Sequence, residues 1–320
     1  MMLSIVIPLY NKGPDIQRAI ASVLAQTHQD FELIVVDDGS KDDGPAQVRA
    51  CTDPRVRLVQ QPNGGVSSAR NLGVAQAGGD YVCFLDADDH WAPEHLSRLV
   101  AVMNAHPGLS FYAAAFNFVD EHGAVQPLAL TPALQGRCSR IEQFFEAAMA
   151  CPPLVQTSAV MVRRATFQAL GGFQVGLKAG EDILLWSRLA AQGPLGYSGF
   201  HTSNYSAPPL SAETRGTAVN LPPEVDVVGD HLLALTAERG QQLKGLRAYT
   251  ALWFRGRAML FLESARRRQA LCDLRKAVVT EGRVQARDVV SVALMLLPLS
   301  LQRRALAALR ALRQREEVRA

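Results

Sequence analysis

The chain has 320 residues, of which 48% are hydrophobic and 20% charged, with 24 Gly and 17 Pro. This composition is that of an ordinary globular protein, and it excludes a disordered, collagen-like or disulfide-stapled chain. The formal net charge of +3 hides an asymmetry. Residues 1–230 carry 15 Lys and Arg against 23 Asp and Glu, whereas residues 231–320 carry 18 against 7. A strongly basic region favours an anionic partner, either a membrane surface or a nucleic acid.

The N-terminus and the cysteines bear on the cellular compartment. The segment MMLSIVIPLYNK has no basic region, and its apolar run is short and ends at Pro8. It therefore indicates a buried strand rather than a signal peptide. The five cysteines are dispersed and form no CxxC pair, which argues against a disulfide framework or a zinc site and suits a reducing compartment. We expect a cytoplasmic protein.

The first 120 residues alternate apolar strands with helical segments. The pattern predicts strands over 3–7, 31–36, 56–59 and 81–85, and helices over 16–24 and 67–77. Strands that are apolar throughout, with helices between them, indicate a parallel sheet covered on both faces. Ligands of such sheets bind at the carboxyl ends of the strands. Two acidic clusters, at 37–38 and 86–89, follow strand ends of this kind.

The pattern loosens after residue 120. It predicts helices over 141–150 and 180–191, a strand over 157–162, and loops over 192–224, which are rich in Gly, Pro and Ser. From about residue 231 the chain is predicted to be helical and basic.

An apolar, uncharged run covers residues 289–301 near the C-terminus. It has 13 residues and contains Pro298, whereas a membrane-spanning helix needs about 20. A basic amphipathic helix is predicted to follow over 302–319. An apolar segment followed by such a helix fits a membrane interface better than a crossing of the bilayer. Packing on the body of the protein and dimerisation through this helix remain open.

Asp86, Asp88 and Asp89 follow the strand predicted at 81–85. Concentrated negative charge is unfavourable unless a cation or hydrogen bonds offset it, and carboxylate oxygens are good ligands for Mg²⁺ or Mn²⁺. The alternative is a solvated acidic turn in which Asp89 caps a helix over 91–104. The three residues alone do not decide between these interpretations.

Two more acidic positions are candidates. Asp37 and Asp38 could accept hydrogen bonds from a base or a ribose, or could form a turn with a helix cap. Asp182 lies at a predicted helix start, where the helix dipole would keep it ionised. Such a carboxylate suits a general base, although N-capping is the simpler interpretation.

Three further side chains have open roles. Arg70 could approach a diphosphate or form a surface ion pair, and His201 could ligate a metal or a phosphate. Trp186 is a core or pocket-wall residue on the helix of Asp182. The sequence contains no GxGxxG and no P-loop, so it gives no indication of a dinucleotide or ATP site.

The order and spacing of the motifs are more specific than any single motif. SIVIPLYNK, FELIVVDDGS, NGGVSSARNLGVAQAGGDYVCFLDADD, GGF and KAGEDILLW follow one another within residues 2–215. In this combination they closely resemble family 2 glycosyltransferases with the GT-A fold. The resemblance implies an α/β GT-A domain with a central, mostly parallel sheet over 1–225, divided into a nucleotide-sugar-binding half (1–120) and an acceptor-binding half (121–225). Residues 226–320 would form a helical, basic C-terminal region.

The resemblance also implies roles for individual residues. Seven positions match the part of the family's motifs that binds the nucleotide sugar: Pro8, Tyr10, Asp37, Asp38, Arg70, Asp86 and Ala87.

The remaining matches concern the metal and the acceptor. Asp88 is expected to hold a divalent metal, Mn²⁺ or Mg²⁺, and His201 is a weaker candidate ligand. Asp182 is expected to be the catalytic base, with Glu181 and Trp186 on the acceptor side. The implied reaction moves a sugar from a nucleotide-diphosphate sugar, with a UDP-sugar favoured, to a hydroxyl of a glycan or lipid-linked glycan in cell-envelope polysaccharide synthesis. One base opposite the leaving group implies inversion.

Two other classes of protein remain as alternatives. A nucleotidyltransferase on a similar sheet would need a basic, glycine-rich loop after the first strand, which residues 10–13 do not supply. A non-enzymatic protein could bind a membrane or nucleic acid through its basic tail. RNA binding needs exposed aromatic residues among the basic ones, whereas Tyr249, Trp253, Phe254 and Phe261 are grouped like core residues. We therefore expect no nucleic-acid partner.

The same tail leaves a membrane partner open. Residues 285–320 are the candidate contact with an anionic membrane, which would place the protein at the inner face of the cytoplasmic membrane. The loops predicted to select donor and acceptor, 120–155 and 192–225, contain no decodable motif, and the sequence leaves the oligomeric state, including a dimer, open.

Overall fold

The computed structural model describes residues 1–206, 222–223, 225–298, 300–302, 304–306 and 308. The chain divides into two compact units, Met1–Leu210 and Ser211–Ala320. In the part of the chain so described, no helix is both long enough and apolar enough to cross a bilayer.

The first unit is built on one sheet. Its strands are β1 (Leu3–Leu9), β2 (Phe31–Asp37), β3 (Val56–Gln60), β4 (Tyr81–Phe84), β5 (His90–Trp91), β6 (Phe111–Val119), β7 (Val125–Pro127), β8 (Cys138–Ile141), β9 (Val160–Arg163) and β10 (Leu195–Ser206). Their order across the sheet is β3-β2-β1-β4-β9-β6-β10-β5, with β7 beside β6 and β8 beside β10.

Helices of the first unit connect these strands. They are α1 (Gly13–Leu24), α2 (Gly44–Arg49), α3 (Val66–Gln76), α4 (His95–Ala105), α5 (Phe144–Ala150), α6 (Arg164–Ala169) and α7 (Glu181–Gln192), and a short 3₁₀ helix covers Thr157–Ala159.

The first apolar run of the sequence forms an inner strand of the sheet. β1 pairs in parallel with β2 on one side and β4 on the other. Leu3, Ile5, Val6 and Ile7 are fully buried, because helices cover both faces of such a strand. The predicted GT-A-like α/β fold with a mostly parallel sheet is confirmed.

A reversed strand brings a further loop to the edge where the parallel strands end. β9 runs antiparallel to both β4 and β6, so its first residue lies at the edge where β4 finishes. The 3₁₀ helix that precedes β9 contains Ser158. Ser158 therefore meets the acidic segment that follows β4, although about 70 residues separate them in the sequence.

Helix α3 lies directly on β1 because Gly73 has no side chain. A Cβ at Gly73 would collide with the side chain of Val6. This close approach fixes the height of α3 above the sheet, and with it the position of Arg70, one turn earlier on the same helix.

Four element predictions made from the sequence were wrong in detail. The helix predicted at 91–104 begins at His95, because Trp91 instead pairs with Ser203 of β10. The loop predicted over 192–224 contains β10, which pairs with β6. Long-range pairing also explains the other two errors. Residue 141 ends β8, before α5 begins at Phe144, and the strand predicted at 157–162 begins only at Val160.

The second unit is helical in its described part. It contains α8 (Val227–Arg239), α9 (Leu246–Glu263), α10 (Arg267–Glu281) and α11 (Ala286–Leu296). Buried ion pairs tie these helices together. Arg255 on α9 contacts Glu281 and Asp288, and Arg257 contacts Asp226 and Asp273.

Only some residues of the two predicted C-terminal elements are among the described residues. Within the apolar run predicted over 289–301, α11 ends at Leu296. Of the basic helix predicted over 302–319, residues 303, 307 and 309–319 lie outside the described residues. Residues 207–221 and 224 of the predicted acceptor loop also lie outside them.

Candidate active site

Asp38 is a buried carboxylate held by three hydrogen-bond donors. Its Oδ1 accepts from Gln61 Nε2 at 2.6 Å and from the Gly64 amide at 2.8 Å. Its Oδ2 accepts from the Gly65 amide at 2.8 Å. The loop between β3 and α3 thus fixes a carboxylate at the end of β2, in one orientation.

Asp37 supports the same loop region. It accepts hydrogen bonds from the Ser40 amide and from Gln60 Nε2, both at 2.9 Å. Nearby, Pro8 is half-buried in β1 and Tyr10 is 46% exposed just after it. An exposed ring beside a fixed carboxylate at the carboxyl end of the sheet gives a flat surface against which a planar base can stack.

Arg70 joins the end of β4 to the start of α7. Its Nη2 donates to Asp86 Oδ1 at 2.6 Å and its Nη1 to Glu181 Oε1 at 3.3 Å. The side chain is only 4% exposed. Burial alone would lower the pKa of Arg70, but attraction to Asp86 and Glu181 outweighs it and raises the pKa. The structure thus makes Arg70 a buried bridge rather than a surface cation.

Asp182 lies in the first turn of α7, beside Glu181. Its Oδ1 accepts a hydrogen bond from the Ile183 amide at 2.7 Å. Burial and the charge of Glu181 raise the pKa of Asp182, while the Ile183 amide and Arg70 act in the opposite direction. A desolvated carboxylate with a raised pKa is a stronger base than an ordinary aspartate and suits proton abstraction near neutral pH.

Asp88 is the most accessible carboxylate of the segment after β4. Its side chain is 36% exposed, and its Oδ2 forms an ion pair with Lys12 Nζ at 2.8 Å. Its backbone carbonyl accepts from Arg18 Nη2 at 2.6 Å and from Ser206 Oγ at 2.5 Å. The backbone at Asp88 is therefore held from two sides while the carboxylate faces outward.

Asp89 does not cap a helix, since α4 begins at His95. It is fully buried and accepts from Ser158 Oγ at 2.6 Å and from the Ser206 amide at 2.8 Å. Burial and the charge of Asp86 raise the pKa of Asp89, although these two hydrogen bonds lower it. Asp89 thus ties the acidic segment to the end of β10 and to the 3₁₀ helix.

Tyr205 is a site residue that the sequence analysis missed. It lies near the end of β10, and its ring packs edge-on against Phe118 with the centroids 6.1 Å apart. Burial raises its pKa, and so do the charges of Asp89, Asp86, Asp88 and Asp182. The phenol is therefore within electrostatic range of these four acids. No sequence signal marks Tyr205, because residues 192–224 show only loop-like composition.

The acceptor-side residue Trp186 lies one turn after Asp182 on α7. It is 2% exposed, and its ring packs edge-on against Phe173. Among the described residues its indole Nε1 has no hydrogen-bond partner. Two hydrogen bonds join Phe173 to Asn71 of α3. Asn71 Nδ2 donates to the Phe173 carbonyl, and the Phe173 amide donates to Asn71 Oδ1.

His201 lies in β10, four residues before Tyr205. Its Nε2 lies 2.9 Å from the Leu128 carbonyl, to which it can only donate. This hydrogen bond leaves Nδ1 as the ring nitrogen that could ligate a metal. Among the hydrogen bonds and ion pairs of the described residues, none joins His201 to Asp88.

The donor set at Asp86 and Asp88 fits a divalent cation. The Asp88 carboxylate already pairs with a cation, the Lys12 ammonium, on its accessible side. Within the described residues no three His, Cys, Asp or Glu side chains are grouped as a complete metal cage. Mg²⁺ commonly uses one or two carboxylates, with water and substrate phosphates as its other ligands, so a cation here would depend on its substrate.

Comparisons with known proteins agree with this picture. The family model described as Glycosyl transferase family 2 matches residues 4–166. An uncharacterized glycosyltransferase of Rickettsia bellii is 32% identical over 195 residues, which cover 61% of this chain and 27% of that protein. The succinoglycan biosynthesis protein ExoW of Rhizobium meliloti is 42% identical over 118 residues, 35% of each chain. The chain spans between about a quarter and a third of the length of the Rickettsia proteins it matches.

Similar solved structures come from Staphylococcus aureus. TarS 1-349 in complex with UDP-GlcNAc aligns with a TM-score of 0.58 at 17% identity, over 88% of this chain and 91% of that one. The same fragment in complex with UDP gives a TM-score of 0.57 at 18% identity, over 88% and 89%. At this level of identity the likeness establishes a shared fold.

Proposed function

Because the chain belongs to glycosyl transferase family 2, we propose that it transfers a sugar from a nucleotide-diphosphate sugar, with a UDP-sugar favoured, to a hydroxyl of a glycan or lipid-linked glycan, with inversion at the anomeric carbon. One observation carries the proposal. Buried Arg70 contacts both Asp86, on the donor side, and Glu181, next to the candidate base Asp182. Donor and acceptor groups are thereby held in one rigid arrangement.

The donor side is formed by the ends of β1, β2 and β4. The ring of Tyr10 offers a stacking surface for the base, and Asp38 offers a fixed carboxylate to accept its N–H groups. Asp86 and Ala87 face the ribose or the sugar. The bound UDP-GlcNAc of the S. aureus TarS fragment, which shares this fold, supports a UDP-sugar as donor.

The base is Asp182. Its carboxylate removes the proton of the acceptor hydroxyl, and that oxygen forms a bond to the anomeric carbon while the bond to the diphosphate oxygen breaks. Attack opposite the leaving group inverts the configuration. Glu181 and Trp186 lie on the acceptor side, with Trp186 buried one turn after Asp182 on α7.

Asp88, supported by Asp86, would hold the divalent cation, Mn²⁺ or Mg²⁺. When bound, the cation offsets the charge that builds up on the departing diphosphate. Arg70 orients Asp86, and Arg18 with Ser206 holds the backbone of Asp88 so that its carboxylate faces the donor.

A thermal-shift screen of nucleotide sugars with and without Mn²⁺ tests this function. A ligand at a hundred times its Kd stabilises the protein by about 2.7 kcal/mol, so the donor should stand out from the other nucleotides. We expect the largest shift with a UDP-sugar and Mn²⁺ together. Equal shifts with nucleoside triphosphates, accompanied by pyrophosphate release, would support a nucleotidyltransferase instead.

We also propose that the second unit contacts an anionic membrane surface, with the enzyme at the inner face of the cytoplasmic membrane. Helix α11 exposes an apolar face formed by Val289, Val292 and Leu296, which are 60%, 40% and 81% exposed. These residues are spaced by three and four positions and so share one side of the helix. Arg283, 70% exposed, precedes them, and residues 231–320 have a large excess of basic residues. Exposed apolar and basic groups together match an anionic lipid interface.

The polysaccharide context follows from the acceptor class. One relative is a succinoglycan biosynthesis protein, and a lipid-linked glycan acceptor would itself lie at a membrane. A basic, partly apolar second unit that binds a membrane would bring the enzyme to such an acceptor.

A further inference from the structure

Lys12 and Asp88 form an ion pair at the accessible side of the candidate active site. Lys12 Nζ lies 2.8 Å from Asp88 Oδ2, and the two side chains are 44% and 36% exposed. Lys12 directly precedes α1, in a loop held by two hydrogen bonds. The Asn11 amide donates to Ser40 Oγ, and Asn11 Oδ1 accepts from the Lys41 amide. The backbone at Lys12 is therefore fixed, while its four-carbon side chain can change partners.

The three aspartates after β4 differ in how their partners are held. Asp86 pairs with Arg70, which is buried and also contacts Glu181. Asp89 is buried and bonded to Ser158 and to the backbone of Ser206. Of these three aspartates, Asp88 is the one whose carboxylate pairs with a cation that is itself accessible to water. Partly exposed ion pairs contribute little to stability, because water and salt screen them.

We propose that Lys12 is the resident counter-ion of Asp88, which it exchanges for the divalent cation when the donor binds. This proposal rests on the metal role of Asp88 in the proposed function. The Lys12 ammonium, 2.8 Å from Asp88 Oδ2, would repel a divalent cation on the same carboxylate, so we expect the ammonium to leave as the cation arrives. The released ammonium remains on its fixed loop, next to the place where the donor diphosphate and its negative charge arrive.

The exchange gives two effects of opposite sign on binding. Without donor, Lys12 competes with the cation for Asp88 and also repels it, so removing the ammonium should tighten binding of the cation alone. With donor, the freed ammonium attracts the diphosphate, so its removal should weaken binding of UDP together with the cation. A residue with a merely structural role would not give opposite signs.

Mn²⁺ titrations followed by the electron paramagnetic resonance of free Mn²⁺ test this inference. The proteins compared are the wild type, Lys12→Gln, Asp88→Asn, and Lys41→Gln as the matched control. Lys41 is an exposed lysine in the adjoining loop, so its substitution removes the same charge without touching Asp88. We expect Lys12→Gln to bind Mn²⁺ about two- to fivefold more tightly than the wild type. In saturating Mn²⁺, the same variant should bind UDP more weakly than the wild type. Lys41→Gln should show neither change.

The other outcomes distinguish a failure of the proposed exchange from a failure of the proposed metal role of Asp88. Equal Mn²⁺ affinity in Lys12→Gln and the wild type, with binding lost in Asp88→Asn, overturns the exchange and leaves the metal site. The same tightening in Lys41→Gln also overturns the exchange, because it would be a general effect of charge. Undiminished Mn²⁺ binding in Asp88→Asn, or no Mn²⁺ binding by any protein with or without UDP, overturns the metal role on which the exchange rests.

Discussion

At the scale of single residues, the site depends on carboxylates that are made unequal by their surroundings. Asp38 is buried and receives three hydrogen bonds, Asp88 is partly exposed and paired with Lys12, and Asp182 is desolvated beside Glu181. Differences of this kind support the binding, metal and base roles that we propose for these chemically similar groups. Asp182 has the properties that a general base requires.

The raised pKa of Asp182 predicts the pH dependence of transfer. The base acts only when it is ionised, so kcat/KM should rise with pH through the pKa of Asp182, and this rise should lie above pH 3.8, the ordinary value for aspartate. The charge of Glu181 contributes to the raised pKa. Glu181→Gln should therefore move the rise to lower pH. A pH profile with the same midpoint in Glu181→Gln and the wild type would contradict this assignment.

At the scale of secondary-structure elements, strand ends were predictable and their cross-connections were not. Apolar runs placed Asp38 and Asp86 at strand ends correctly, because a buried parallel strand is apolar throughout. The contacts of Asp89 with Ser158 and Ser206 were not predictable, since they depend on the reversed β9 and on β10, and β10 was predicted as a loop. Local sequence does not encode which distant strand a residue pairs with.

His95 on α4 illustrates such a contact and predicts a change of stability with pH. It is fully buried, and its Nδ1 lies 2.9 Å from Thr202 Oγ1 of β10. Burial lowers the pKa of His95 from 6.5 to about 3. Between these two pKa values the unfolded chain binds a proton that the folded protein does not. The free energy of unfolding therefore has its full value, as far as His95 is concerned, above pH 6.5 and falls as the pH decreases.

The size of this effect can be measured against a variant. Between pH 7.5 and pH 5.5 the free energy of unfolding of the wild type should fall by about 1.4 kcal/mol more than that of His95→Gln, which has no imidazole. Unfolding of both proteins at the two pH values measures the difference. Parallel losses in both proteins would show that His95 does not titrate on unfolding.

At the scale of the whole molecule, the chain joins an acidic transferase unit to a basic helical unit. Residues 1–230 have an excess of acidic side chains and residues 231–320 an excess of basic ones. The sequence predicted this division of charge and the apolar run at its end. It could not predict which side of α11 is buried, because that depends on how α9, α10 and α11 pack.

The exposed face of α11 predicts binding to anionic vesicles. Replacing Val289, Val292 and Leu296 by Ser should reduce sedimentation with phosphatidylglycerol vesicles, because the apolar contact with the lipid interface is lost. Val279→Ser is the matched control, since Val279 is an equally accessible valine on α10, 71% exposed. Unchanged sedimentation of the triple variant would contradict the membrane proposal. If the triple variant instead converted a dimer into a monomer, a second copy of the chain would be the partner of this face.

The central claim is that this chain is a glycosyltransferase in which Asp182 is the base and the donor is held elsewhere. The most direct test compares Asp182→Asn with the wild type in two measurements. The first is the rate of sugar transfer from the donor that the nucleotide-sugar screen identifies. The second is the Kd of that donor in the presence of Mn²⁺. Loss of a general base lowers a rate about a hundred- to ten-thousand-fold. We predict a fall of this size in transfer with the donor Kd almost unchanged, whereas wild-type transfer by Asp182→Asn, or an equal loss of transfer and donor binding, would contradict the account.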